Sequence, residues 1–133
     1  MDFTVELDER QFEAIEGILT GDLLGMGVTA VLLIDLAGNI LVKLDNGHTQ
    51  LDNYSLAALA AGNFGAVSEM AKLIGEEEFS LLFHKGQKES IHFSRVNQDL
   101  LLVVIFGKDV SLGFLRLKVA DAIGKLQRLV RSG

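Results

Sequence analysis

Residues 27–42 read GVTAVLLIDLAGNILV, and two strands joined by a tight turn account for them. Val28–Ile34 (VTAVLLI) is an almost unbroken apolar run, the pattern of a strand covered on both faces. Asp35-Leu36-Ala37-Gly38-Asn39 supplies turn chemistry, and Ile40–Leu44 reads as the returning strand. A hairpin fixes antiparallel pairing, and a strand buried on both sides requires helices above and below the sheet. Leu100–Phe106 (LLLVVIF) has the same character, so these two runs are placed at the sheet centre.

Working outward, Asp8-Glu9-Arg10-Gln11 fits a capping box, with Asp8 as N-cap and Gln11 at N3. Phe12, Ile15, Leu19 and Leu23 then recur at helical spacing until Gly25 and Gly27 stop the helix. Asp45-Asn46-Gly47 ends the hairpin. Asp52 or Ser55 caps a second helix that runs to Gly75. Phe79, Leu81 and Phe83 alternate on a third strand, and Ile91 and Phe93 on a fourth, with Lys85-Gly86-Gln87-Lys88 turning between them. Aligning the apolar sets pairs Phe83 with Ile91 and Leu81 with Phe93, which puts His84 and His92 on one face. Asn97-Gln98-Asp99 leads into the fifth strand. Ser111 is positioned to cap a last helix with the inner stripe Leu112, Leu115, Val119, Ile123, Leu126 and Val130. The predicted order is α-β-β-α-β-β-β-α, an α+β fold with a five-stranded antiparallel sheet and helices on both faces. One domain spans residues 1–133, its core about 7–131.

Composition narrows the function. The chain is 49% hydrophobic and 23% charged, which fits a globular domain rather than a disordered one. Without cysteine, disulfides, thiolate metal sites and cysteine nucleophiles are excluded. A net charge of −6 argues against sequence-independent nucleic-acid binding. MDFTVELDER is acidic and has no apolar h-region, and LLLVVIF is too short to span a bilayer. A soluble cytoplasmic protein without membrane insertion is expected. Acidic residues crowd positions 1–25, while Lys108, Arg116, Lys118, Lys125, Arg128 and Arg131 crowd the C-terminal segment. Either the terminal helices pack side by side with complementary charges, or the basic segment is a docking surface.

Catalytic motifs do not emerge. Gly25-Met26-Gly27 precedes a strand, whereas a dinucleotide fingerprint follows one. Gly62-Asn63-Phe64-Gly65 has KH-loop spacing but lies within a helix and lacks flanking cations. His48, His84 and His92 have no evident further ligands for a metal. There is no nucleophile elbow, phosphate loop or HExxH. No catalytic residue, cofactor or metal is expected.

The second helix holds the functional signal. SLAALAAGNFGAV, residues 55–67, carries no charge before Glu69 and Lys72. A helical wheel groups Leu56, Leu59, Ala60, Val67, Met70, Ala71 and Ile74 toward the sheet, with Asn63 among them. The opposite side gathers Ala58, Ala61, Gly62, Gly65, Ser68, Glu69 and Lys72. Each interior glycine costs about 1 kcal/mol relative to alanine, so a smooth outer face suggests close approach of another backbone. Either another helix of this chain or a second molecule covers it. The second is favoured, because the other two helices already carry stripes suited to the opposite sheet face. With the apolar runs central, the third strand falls at an edge, and its residues Phe79, Ser80, Leu81, Leu82 and Phe83 include no proline or lysine to block pairing. A two-fold axis joining two such edges would bring the second helices together.

The segments GVTAVLLIDLAGNILV, LAALAAGNFGAVSEMAKLIGE, EFSLLFHKG and DLLLVVIFGKDVSLGFLRLKV together resemble the roadblock family, and most closely its bacterial MglB-like GTPase regulators. The resemblance runs from about Leu7 to Leu129 and implies a roadblock-like (profilin-like) sandwich. It further implies a homodimer with a continuous sheet across the third strand, binding to a Ras-like small GTPase of the MglA type, and stimulation of GTP hydrolysis. On matching positions, the outer face of the second helix serves the dimer and the GTPase. Arg10, Arg95, Arg116, Arg128 and Arg131 are the arginines available to act as a finger. None is placed in an obvious mobile loop, so the expected mode is arrangement of the GTPase's own groups. The alternative is a scaffold that recruits a GTPase or polarity complex without accelerating hydrolysis.

Overall fold

The computed structural model describes residues 7–47, 50–79 and 82–131, the side chains of Leu82 and Arg131 excepted. Helix α1 (Glu9–Asp22) starts at a complete capping box: Gln11 N–H donates to Asp8 at 2.7 Å, and Asp8 N–H donates to the Gln11 side chain at 3.1 Å. A short turn, Leu24–Met26, ends at Gly27, whose φ of 98° suits glycine. Strands β1 (Ala30–Asp35) and β2 (Ile40–Asp45) form the hairpin, α2 (Asn53–Leu73) follows, then β3 (Leu82–Lys85), β4 (Glu89–Arg95), β5 (Leu100–Gly107) and α3 (Leu112–Arg131).

The sheet is antiparallel throughout, in the order β2-β1-β5-β4-β3. The two runs read as doubly buried, β1 and β5, are neighbours inside it, and every residue of β1 is buried. Alternation sorts their side chains into two cores. Val31, Leu33, Leu102 and Val104 meet α1 and α3 on one face. Leu32, Ile34, Leu101 and Val103 meet α2 on the other. This is the expected roadblock sandwich.

The terminal helices lie side by side. Lys125 Nζ reaches Asp22 at 2.8 Å, and Gln11 Nε2 donates to the Leu129 carbonyl at 3.2 Å. The opposed charges of the two ends are thus used, at least in part, within the chain.

One strand register differs from expectation. Phe83 pairs with His92, and His84 with Ile91. The slip of one residue carries Phe83 to the terminal-helix face, where its ring stacks on Phe106 at 6.0 Å between centroids. His84 turns to the α2 face and packs edge-on against Phe93 at 5.7 Å. The two histidines therefore occupy opposite faces. With period-two side chains, a one-residue slip exchanges the faces of a whole strand, and the aromatic stack favours this register.

Candidate interaction surface

Helix α2 begins where Asp52 accepts the Ser55 N–H at 3.1 Å and the Ser55 hydroxyl at 2.6 Å. These bonds hold the Asp52 carboxyl below its usual pKa. The β1–β2 turn then seats the helix. Asp35 accepts from the N–H groups of Ala37 and Asn39 at 3.0 and 2.8 Å, fixing a turn in which Gly38 has φ 92°. A Cβ on Gly38 would lie 3.0 Å from the Ala58 Cα, so the turn backbone rests directly on the helix. Farther along, Arg95 covers the Phe64 ring at 4.9 Å.

The face that α2 turns to the sheet is built from small residues. Ala57, Ala60, Ala61, Phe64 and Ala71 are buried, while Leu59, Met70, Leu73 and Ile74 are exposed at 72%, 52%, 84% and 69%. The expectation that Leu59, Met70 and Ile74 cover the sheet is therefore corrected: the helix is rotated by about 90° from it on a wheel of 100° per residue. The sheet supplies the bulk here, through Leu32, Ile34, Phe93, Leu101 and Val103. Alanines let the helix axis come close to those side chains, with Phe64 as the one large residue among its buried ones.

The rotation sorts the proposed outer-face residues. Ala58, Gly62, Gly65, Glu69 and Lys72 are exposed. Ala61 is not on the outer face, being only 7% exposed within the α2 core. Ser68 is half-buried, and its hydroxyl has no partner among the described residues. Asn63 is exposed and lies 3.4 Å from His84 Nε2, a contact between helix and edge strand. Among the described residues, nothing lies within 4 Å of a Cβ built on Gly62 or Gly65.

What the wheel missed is an apolar stripe facing solvent. Leu59, Gly62, Ala66, Met70 and Leu73 follow one another at steps of three or four residues, all exposed, with Ile74 alongside. The signal that could have found it is the surplus of apolar residues in α2, more than one face can bury. Beside the stripe runs the sheet edge. β3 is terminal in the strand order, its outward backbone unpaired within the sheet. Of the edge residues expected, Leu82 and Phe83 lie in β3, Phe79 precedes it half-buried, and Ser80 and Leu81 fall outside the described residues.

Arginines are placed elsewhere. Arg95 is held by Glu78 at 2.6 Å as well as by Phe64, and Arg128 Nε donates to the Gly124 carbonyl at 3.2 Å. Neither α2 nor β3 contains an arginine. Among the described residues, no cluster of three His, Cys, Asp or Glu could hold a metal ion, and no helix is long and apolar enough to cross a membrane.

Two cores on one antiparallel sheet, with α2 exposing an apolar stripe and β3 terminal in the strand order, define the sandwich. The chain belongs to the Roadblock/LC7 family, whose domain description matches residues 24–106. Among solved structures it is similar to MglB of Myxococcus xanthus, with 34% identity, TM-score 0.86 and coverage of 95% of this chain and 100% of that one. The gliding protein MglB of Thermus thermophilus is 27% identical with TM-score 0.90 and complete coverage of both chains. An MglB with a tetrameric arrangement is 26% identical with TM-score 0.90, covering 99% of this chain and 98% of its own.

Proposed function

We propose that this protein is a homodimeric regulator that binds a Ras-like small GTPase of the MglA type and stimulates its GTP hydrolysis without contributing a catalytic residue. The observation that carries this reading is likeness to MglB over essentially the full chain. The exposed α2 stripe supports it physically. Exposed apolar side chains rimmed by Glu69, Lys72 and the Glu76–Glu78 run are what a protein interface leaves uncovered in an isolated chain. In the proposed dimer, β3 pairs with its symmetry mate and the α2 stripes meet or stand together. Absence of arginine from α2 and β3 favours a mode in which the regulator arranges the GTPase's own groups instead of inserting a finger.

The test is a phosphate-release assay with an MglA-type GTPase and stoichiometric regulator. Accelerated release by wild type, retained in Arg95→Ala, is expected. Binding with an unchanged rate selects the recruiting scaffold, and absence of binding removes the GTPase from the reading altogether.

A further inference from the structure

On the sheet face away from α2, the β3–β4 hairpin, the end of β5 and the start of α3 enclose a groove of about 390 Å³. Its floor is apolar: the half-buried Phe83 ring, stacked on the core residue Phe106, with Leu112 at the side. Its rim carries Lys85, Lys88 and Lys108, all exposed. Among the described residues, no aspartate or glutamate lines the groove, and none of these lysines joins an ion pair. The Glu89 carboxylate, which accepts from the Thr29 hydroxyl, lies behind Gly107, and the lining itself carries only positive charge in a chain whose net charge is −6. The start of α3 adds the partial positive charge of a helix N-terminus to the same rim.

We propose that this groove binds an acidic linear peptide segment of a partner protein, which seats an apolar side chain on the Phe83 ring and sets carboxylates against the lysines. Both halves of that chemistry are needed. Three exposed lysines alone would give weak, salt-screened attraction, and an apolar floor alone would not select a charge. Concavity favours a peptide over a membrane, because a flat bilayer would leave the floor unfilled. The groove and the α2 stripe lie on opposite faces of the sheet, so this occupant would not compete with a partner on α2. The proposal stands independently of whether α2 binds a GTPase.

Fluorescence anisotropy of the full-length protein tests it, using a short labelled peptide of glutamates around a central phenylalanine. Saturable binding is expected, weakened about tenfold or more in Lys85→Glu/Lys108→Glu and in a peptide with serine replacing glutamate. Circular dichroism should show the variant folded, since both lysines are exposed. As a readout independent of the variant, amide shifts on titration should centre on Lys85, Lys88 and Lys108. No saturable binding, equal affinity in the variant, or shifts centred on α2 would overturn the proposal. So would variant-sensitive capture of phosphatidylserine vesicles, or variant-sensitive self-association, in the absence of peptide binding.

Discussion

The Arg95 guanidinium lies 4.9 Å from the centre of the Phe64 ring while its Nε donates to Glu78 at 2.6 Å. One side chain on β4 thereby fastens the middle of α2 and the segment that follows it. Its Nη1 also reaches the carbonyls of Asn97 and Gln98 at 3.3 and 3.2 Å. Arg95→Ala should lower stability by about 1–2 kcal/mol, the sum expected of a cation–π contact and a partly exposed ion pair. Urea denaturation measures the loss, and a variant as stable as wild type would show that these contacts hold nothing.

Ala61 and Gly65, four residues apart, should respond oppositely to arginine. Ala61 is packed against the sheet, so Ala61→Arg must bury a charge or displace the helix, at a cost of about 3 kcal/mol or more. No described residue comes within 4 Å of a Cβ on Gly65, so Gly65→Arg should keep the far-ultraviolet spectrum and melting behaviour of a folded chain. In the proposed dimer it should instead weaken association or GTPase binding. Similar unfolding of both variants would mean that the outer arc is covered within the chain.

Met70 and Leu73 give a direct measure of the exposed stripe. Met70→Asp/Leu73→Asp removes apolar surface that nothing described in this chain covers. Little loss of monomer stability is expected, together with a shift to smaller species in sedimentation velocity. An unchanged sedimentation profile would remove the stripe from the dimer contact.

Acid should destabilise the fold through His92. Burial first, and the charge of Arg116 second, lower its pKa from 6.5 to about 4. Between those values the unfolded chain holds a proton that the folded chain does not. Stability therefore falls as pH drops through that window, by up to about 1.4 kcal/mol per pH unit. Above it the residue is neutral in both states and contributes no pH dependence. Urea midpoints at pH 7 and pH 5 should drop less in His92→Gln than in wild type, and equal drops would show that folded His92 takes up its proton freely.

Much of the architecture was legible because its signals are local. The capping box at Asp8 and Gln11 satisfies helix-end groups within a single turn of chain. The continuous apolar runs of β1 and β5 admit no arrangement except burial on both faces, and their alternation predicts two cores. The β3–β4 register was not local: an apolar side chain fits either sheet face, and the stack on Phe106 of β5, one strand beyond β4, favours the terminal-helix face for Phe83. The rotation of α2 was hidden for a related reason. A wheel sends large apolar residues inward, whereas the bulk of the sheet beneath α2 leaves room for alanines.

By itself, then, the sequence determined the element order, the antiparallel sheet, the open edge at β3 and the charge division between the ends. These follow from periodicity, turn chemistry and composition, which are properties of neighbouring residues. Tertiary structure alone decided which arc of α2 faces out, placing Leu59, Met70 and Leu73 in solvent and Ala61 in the core. It also drew Lys85, Lys88 and Lys108 around one groove from the β3–β4 hairpin and the segment after β5. Both outcomes depend on how side chains from distant strands fill a shared volume, and that volume exists only once the sheet has formed.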